Sequence, residues 1–196
     1  MRRAQRPPHR AAARARRGLL GACLAGLCAS AWAGGTGGAA GSGGGVDERE
    51  LKAAYLFNFI QFTHWPTTPE HPFGLCVLGQ TPIDDALASL EGKAVLGGPR
   101  IAVRHVGLHD AFTGCHAMYV DDTQRGAVDA TLLRLSGLPV LTVTDGDGLA
   151  DKGLMIEIHR RDARLAFEVN LRAARAANLS FSARMLKLAS YVAGAQ

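Results

Sequence analysis

The stretch ELKAAYLFNFIQFTHWP, residues 50–66, opens the part of the chain that has the composition of a folded domain. Its large apolar side chains recur three or four positions apart, at Leu51, Tyr55, Phe59 and Phe62. This spacing predicts an amphipathic helix with one buried face. Asp47 stands just before the stretch as the expected N-cap, and Glu50 follows it at the spacing of a capping box.

The end of the same stretch predicts where the helix stops and how it is held. Pro66 is expected to end the helix, because the residue before a proline avoids the α conformation. We expect Tyr55, Phe59 and Trp65 to anchor the helix to a sheet, since they are the large aromatic side chains of its apolar face. The helix should therefore be part of the core and not a separate arm.

Residues 1–33, on the N-terminal side, have the organisation of a signal peptide. Seven arginines and no acidic residue lie in the first 17 positions, a short apolar run follows, and Ala31-Trp32-Ala33 matches a cleavage site. The apolar run is shorter than the roughly 20 residues that span a bilayer. We therefore expect export to the periplasm by the general secretory route, cleavage near Ala33 and a mature chain that does not span the membrane. The arginine pair Arg16-Arg17 keeps the twin-arginine route open.

Composition separates this signal from the domain that follows. Residues 34–45 contain eight glycines and predict a disordered linker, so the domain is expected over residues 46–196. The whole chain has 22 basic and 17 acidic residues, and removing the seven arginines of the signal leaves 15 against 17. Nucleic-acid binding needs a concentrated basic surface, so no nucleic-acid partner is expected.

Downstream of Pro66, short apolar runs alternate with helical segments. Strands are expected at residues 73–78, 100–106, 115–120, 139–143, 154–158 and 165–169. Helices are expected at residues 83–90, 127–135, 170–178 and 182–192. This alternation predicts a single-domain, layered α/β fold in which helices flank a mostly parallel sheet, with a C-terminal antiparallel hairpin.

Two cysteines, Cys76 and Cys115, remain once the signal is removed. Each lies in an apolar, strand-like run, and neighbouring parallel strands would bring the two within bonding distance. An even number of cysteines in an oxidising compartment favours a disulfide. The alternative is a pair of buried thiols, because free cysteine packs well as a small apolar residue.

No group of residues has the pattern of a catalytic or cofactor site. The chain lacks the nucleophile elbow, the phosphate-binding loop and the dinucleotide fingerprint, so neither an enzyme nor a cofactor is predicted. Residues 145–148, Asp-Gly-Asp-Gly, lack the further acids of a calcium loop and indicate a turn. His105, His109 and His116 share no helical face that would hold zinc, so no metal site is predicted.

Residues 167–170, Phe-Glu-Val-Asn, alternate apolar and polar side chains at the end of the last predicted strand. Glu168 and Asn170 should therefore point away from the face that carries Phe167 and Val169. One interpretation is a solvated strand face followed by an Asn helix cap. The other is that Glu168 contacts a partner protein, and the residues alone leave both open.

Several segments, in their order and spacing, resemble the YfiR family. They are KAAYLFNF…WP in residues 52–66, the Cys76/Cys115 pair, PVLT at residues 139–142, GLMI at residues 153–156 and FEVN…LKLA in residues 167–189. The resemblance implies an α/β domain with a disulfide at the positions of Cys76 and Cys115 and no catalytic activity. A second cysteine pair that family members can carry is absent from this sequence.

The resemblance also implies a function. Members of the family are periplasmic and bind the periplasmic domain of a membrane-bound diguanylate cyclase, which they repress, so that cyclic di-GMP falls and biofilm formation is regulated. The family glutamate that matches Glu168 is implicated in repression, and we assign Asn170 and Arg172 beside it to the expected partner contact. The resemblance also allows a homodimer.

A different class of function stays open, an extracytoplasmic sensor module that binds a small molecule. Parallel α/β sheets bind ligands at the carboxyl ends of their strands, and a pocket there with convergent polar groups would favour this class. A hydrolase is less favoured, because the sequence offers no pair of nucleophile and base.

Overall fold

The computed structural model describes residues 47–69 and 72–195. The expected signal peptide and linker, residues 1–33 and 34–45, lie outside these ranges and stay predictions. The helices are α1 (Glu48–Gln61), α2 (Asp84–Ala88), α3 (Val128–Leu135), α4 (Leu171–Ala176) and α5 (Ala183–Leu186), and a 3-10 turn at Asp122–Ala127 precedes α3. The strands are β1 (Thr63–His64), β2 (Phe73–Leu78), β3 (Ile101–Val106), β4 (Ala117–Val120), β5 (Leu141–Thr144), β6 (Ile156–Arg161), β7 (Arg164–Asn170), β8 (Ser180–Phe181) and β9 (Tyr191–Ala193).

Seven of these strands form one sheet with the order β3-β2-β4-β5-β6-β7-β9. Pairing is parallel from β3 through β6, antiparallel between β6 and β7, and parallel between β7 and β9. All six residues of β2 are buried, as expected for a parallel strand covered on both faces. The predicted fold class, a mostly parallel sheet flanked by helices with a C-terminal antiparallel hairpin, is confirmed.

The sheet carries two apolar clusters, one of which holds α1. In that cluster the ring of Phe59 lies 4.9 Å from the ring of Phe167 on β7, measured between centroids. In the other cluster, Met118 and Val120 of β4 pack with Leu154 and with residues of α3. Side chains alternate between the two faces of a strand, so the same sheet serves both clusters.

The aromatic residues of the opening stretch connect it to three places in the fold. The Tyr55 hydroxyl donates to the Leu165 carbonyl at 3.2 Å, which links α1 to β7. Phe59 is 2% exposed and belongs to the α1 cluster. Trp65 lies beyond the helix, where its Nε1–H donates to the Pro139 carbonyl at 3.0 Å.

Helix α1 begins as predicted but ends early. Asp47 caps it by accepting a hydrogen bond from the Arg49 amide at 3.1 Å. The prediction that the helix continues to Pro66 is wrong, because α1 ends at Gln61. Thr63 instead pairs antiparallel with Phe181 as part of the β1–β8 ribbon. The backbone therefore leaves the helix to pair with a distant strand before the proline is reached.

The predicted closing helix over residues 182–192 is also wrong. Only Ala183–Leu186 is helical, and Tyr191–Ala193 forms β9 beside β7. The Ser190 amide donates to the Phe167 carbonyl at 2.8 Å where the segment joins the sheet. Because β7 supplies hydrogen-bond partners to this segment, its backbone N–H and C=O groups are paired without forming a helix. The edge of the sheet is therefore β9 and not the hairpin.

Candidate functional site

The hairpin of β6 and β7 sets the geometry of the candidate site. Its two turn residues, Asp162 and Ala163, have φ values of 49° and 60°, as in a type I′ turn. This turn fixes the register, so Glu157 stands directly opposite Glu168. The hairpin thereby places two carboxylates side by side.

On its other side, Glu168 stands level with Tyr191 of β9. Residues paired across a sheet place their side chains on the same face, and His159 and Ala166 form the next pair on that face of the hairpin. We call the surface formed by Glu157, His159, Ala166, Glu168 and Tyr191 the Glu168 face. Tyr191 is 62% exposed at its outer margin, and Glu168 is half-buried.

The reverse side of the same strands belongs to the core. Ile156, Ile158, Phe167 and Val169 are buried there in the α1 cluster. Glu168 therefore points away from the side of Phe167 and Val169, as the alternation predicts. It does not, however, lie on a freely solvated strand face.

The carboxylate of Glu157 is buried and used within the chain. It is 4% exposed, and its two oxygens accept hydrogen bonds from the amides of Gly148 and Ala150, each at 2.9 Å. Backbone amides stabilise a buried carboxylate in its charged form. Glu157 thus fixes the turn that follows β5 and presents a negative charge to its neighbour Glu168.

Glu168 has no comparable support. Burial raises the pKa of its carboxyl group, and the charges of Glu157 and Asp151 raise it further, whereas His159 lowers it. No donor in residues 47–69 and 72–195 forms a hydrogen bond with this carboxylate. The charge of Glu168 is therefore disfavoured in the isolated protein, and a cation placed beside it would relieve both burial and repulsion.

The structure gives Asn170 and Arg172 different positions. The Asn170 side chain accepts from the Ala173 amide at 3.1 Å as the N-cap of α4 and donates to the Ala150 carbonyl at 2.8 Å. Both ends of its amide are therefore engaged in structural contacts. Arg172 is exposed on α4, with its stem close to Gly194.

The disulfide joins Cys76 of β2 to Cys115, two residues before β4, with 5.7 Å between the Cα atoms. The prediction of this bridge is confirmed. Next to it, a Cβ on Gly74 would collide with the Gly114 carbonyl oxygen, so only glycine fits at this position of β2. The Arg104 guanidinium donates to the Cys115 sulfur at 3.2 Å.

The carboxyl ends of the central strands are filled by side chains of the protein itself. The Lys52 ammonium of α1 lies 2.8 Å from the Asp145 carboxylate. Burial lowers the pKa of Lys52, but the hydrogen bonds and charges of Asp145 and Glu48 together outweigh it and raise the pKa. The Thr81 hydroxyl donates to Asp121 at 3.0 Å. Burial and the charge of Asp145 also raise the pKa of Tyr119. Lys52 therefore pairs with Asp145 and Thr81 with Asp121, whereas the Tyr119 hydroxyl is buried among them and forms no hydrogen bond with the described residues.

A groove of about 830 Å³ opens near the opposite, amino ends of the strands. Its lining includes Trp65, Cys115, His116 and Arg134. The Arg134 guanidinium lies 4.3 Å from the centroid of the Phe112 ring. This groove does not have the carboxyl-end position that the ligand-binding alternative predicts.

Two of the histidines considered for metal binding are engaged separately, and the third, His109, is exposed. A ring nitrogen of His105 lies 2.8 Å from the Gly79 carbonyl oxygen, and Nδ1 of His116 accepts from the Gly74 amide at 2.9 Å. Within the described ranges, no three His, Cys, Asp or Glu side chains are grouped so that they could hold a metal ion. Residues 145–148 form the predicted turn, with Asp145 paired to Lys52.

Sequence reasoning proposed Glu168 as a contact residue and did not foresee its two neighbours in the sheet. Glu157 lies opposite Glu168 because the two-residue turn falls at Asp162 and Ala163, a pair without the glycine that usually marks such a turn. Tyr191 carried no signal either, since its segment was expected to be helical. The polar environment of Glu168 therefore depends on residues that only the fold brings together.

The chain matches a known protein family over most of its length. Across the described ranges, no helix has both the length and the apolar character needed to cross a membrane. The model of a family described as YfiR/HmsC-like matches residues 49–190, which include β1 to β8, the disulfide and Glu168. This match extends over most of the sequence and agrees with the resemblance noted from its motifs. The chain belongs to the YfiR/HmsC-like family.

Proposed function

We propose that this protein is a periplasmic, non-enzymatic regulator that binds the periplasmic domain of a membrane-bound diguanylate cyclase and represses it. Repression would lower cyclic di-GMP and so regulate biofilm formation. The family membership supports this role, and the signal peptide expected at residues 1–33 supports the location. The predicted absence of a catalytic set is consistent with a protein that acts by binding.

One observation carries the proposal, the half-buried Glu168 carboxylate that stands beside Glu157 without a donor of its own. Electrostatic complementarity is a general means by which interfaces select partners. A lysine or arginine of the cyclase, placed over Glu168, would supply the charge that the isolated protein lacks. Arg172 would add a contact of opposite sign, and Asn170 would hold the start of α4 in place.

Binding alone does not repress an enzyme. The protein must bind the inactive conformation of the cyclase more tightly than the active one, since only a difference in affinity shifts an equilibrium. We propose that the inactive cyclase presents its basic side chain to Glu168 and that the active one withdraws it. A signal that weakens this contact would then release the cyclase.

Gene deletion tests the regulatory role. Cyclic di-GMP, measured by mass spectrometry of cell extracts, should rise in a strain that lacks this protein. The rise should disappear when one particular membrane diguanylate cyclase is deleted as well, which identifies the partner. An unchanged level in the single deletion would reject the regulatory role.

A charge reversal tests the site. Glu168→Lys should reproduce much of the deletion phenotype, because two like charges at an interface oppose binding. The matched control is Glu50→Lys, which makes the same change at an exposed position of α1. Both purified variants should melt near the wild-type temperature. If the Glu168→Lys variant still represses the cyclase, Glu168 is not part of the contact. The deletion experiment then remains the test of the regulatory role.

A further inference from the structure

The two edge strands of the sheet, β3 and β9, differ in how the chain protects them. Beside β3, the Ile101 amide donates to the Lys93 carbonyl at 2.9 Å, and the Val103 amide donates to the Glu91 carboxylate at 2.6 Å. These contacts occupy two of the outward-facing amides of β3, those in its first half. An edge occupied in this way offers another strand fewer hydrogen-bond partners.

The outward side of β9 can be deduced from its neighbours. The Asn170 amide donates to the Met155 carbonyl on the β6 side, so the odd-numbered residues of β7 direct their backbone groups towards β9. Because Glu168 is level with Tyr191, the backbone of Tyr191 faces β7 and that of Val192 faces outward. In the described part of the chain, no further segment bonds to the Val192 amide or carbonyl, whereas the Gly194 carbonyl just beyond β9 accepts from the Arg175 guanidinium of α4 at 2.8 Å.

We propose that β9 accepts an extended segment of the partner as an eighth strand. The segment would exchange backbone hydrogen bonds with Val192 and carry a basic residue beside Tyr191 that reaches Glu168. This inference rests on the proposed function and specifies how the partner binds. Strand addition draws affinity from backbone hydrogen bonds and specificity from alternate side chains.

The distances suit a basic side chain in that position. Neighbouring strands lie about 4.8 Å apart, so the added residue and Glu168 would be separated by two such spacings, about 10 Å. Extended arginine and glutamate side chains together can span this distance across the ring of Tyr191. That ring is 62% exposed, so a guanidinium could stack on it and also pair with the carboxylate.

Charge favours a basic partner segment over a second copy of this chain. Two copies joined through β9 around a two-fold axis would bring their Glu168 faces to the same side of one continuous sheet. The Glu168 carboxylates of both copies, each already beside the charges of Glu157 and Asp151, would then lie on one side of that sheet. A basic segment instead neutralises it, and complementary potentials favour association.

Amide exchange on the full mature protein tests strand addition. The probe is the purified periplasmic domain of the cyclase that the double-deletion experiment identifies. On binding, exchange of the Val192 amide should slow at least about tenfold, because this amide gains a backbone acceptor. Val192→Pro, which removes the outward donor, should weaken binding about tenfold. The control Val192→Thr keeps both the donor and the side-chain shape and should bind like the wild type.

Each outcome bears on the proposal. Binding of the wild type without slower exchange at Val192 would overturn strand addition and leave the regulatory role intact. If Val192→Pro does not fold, the exchange rate of the Val192 amide in the wild-type complex alone tests strand addition. In the absence of the cyclase, exchange at Val192 could also slow as the concentration of this protein rises. That result would identify a second copy of the chain as the added strand and overturn the proposed partner. Failure of the wild type to bind the domain would reject both proposals.

Discussion

At the scale of single residues, Glu168 carries its charge in surroundings that oppose it. Its pKa is raised in the folded protein, so the folded state binds more protons than the unfolded state between the two pKa values. The contribution of Glu168 to stability therefore falls as pH rises above the ordinary glutamate pKa of about 4.3. We expect the Glu168 carboxylate to make a favourable electrostatic contribution only in the complex with a partner.

Glu168→Gln tests this conflict, because it removes the charge and keeps the size. At pH 7 the variant should be more stable than the wild type by about 0.2–1 kcal/mol, the range for cross-strand pairs. The difference should vanish near pH 3, where the carboxyl group is protonated in both states. Urea denaturation of both proteins from pH 3 to pH 7 measures it. A wild type that is the more stable protein at pH 7 would contradict the electrostatic interpretation.

At the scale of elements, α1 is held by packing more than by its own helical preference. Phe59 is 2% exposed and contacts Phe167 on β7. Phe59→Ala should lower the free energy of unfolding by about 3–5 kcal/mol. The matched control is Phe57→Ala on the same helix, where the ring is only half-buried and the loss should be clearly smaller. Chemical denaturation compares them, and equal losses would show that the packing against β7 is not what holds the helix.

Periodicity located the longer elements within a few residues and failed for the short ones. β1, β8 and β9 have two or three residues, too few for a repeat to be visible. They exist because distant segments pair, as Thr63 does with Phe181. Local rules therefore placed a helix end at Pro66 and a closing helix over residues 182–192, where tertiary pairing gives strands.

The candidate site was predictable to the same extent. Alternation gave the direction of Glu168, a property of its own strand. Predicting the repulsion between Glu168 and Glu157 would have required the register of the hairpin. The sequence does not indicate that register, because Asp162-Ala163 is not one of the glycine-containing pairs typical of a type I′ turn. Tyr191 required the whole chain to fold, because its strand exists only beside β7.

At the scale of the whole domain, the covalent link and the Glu168 face lie in different parts of the sheet. Cys76 and Cys115 join β2 to the entry of β4, whereas Glu168 lies three strands beyond β4. The double variant Cys76→Ser/Cys115→Ser should lose about 2–5 kcal/mol of unfolding free energy. Its affinity for the cyclase domain should stay close to that of the wild type where both proteins are folded.

Denaturation with guanidinium chloride measures the stability, and a binding titration at low temperature measures the affinity. Thiol titration of the denatured, unreduced wild type should find no free cysteine, as the bridge requires. A double variant that is folded but no longer binds would show that the bridge acts on the distant face. Two titratable thiols in the wild type would contradict the bridge itself.

The position of the bridge in the chain has a consequence for biogenesis. Its cysteines are 39 residues apart, and both precede β5 and the whole hairpin in sequence. On the general secretory route a polypeptide is threaded through the membrane from its N-terminus, so β2, β3 and β4 would emerge while the hairpin is still on the cytoplasmic side. Oxidation could then lock the first half of the sheet as a template on which β5 to β9 assemble. The strands that carry the proposed partner surface would be the last to join.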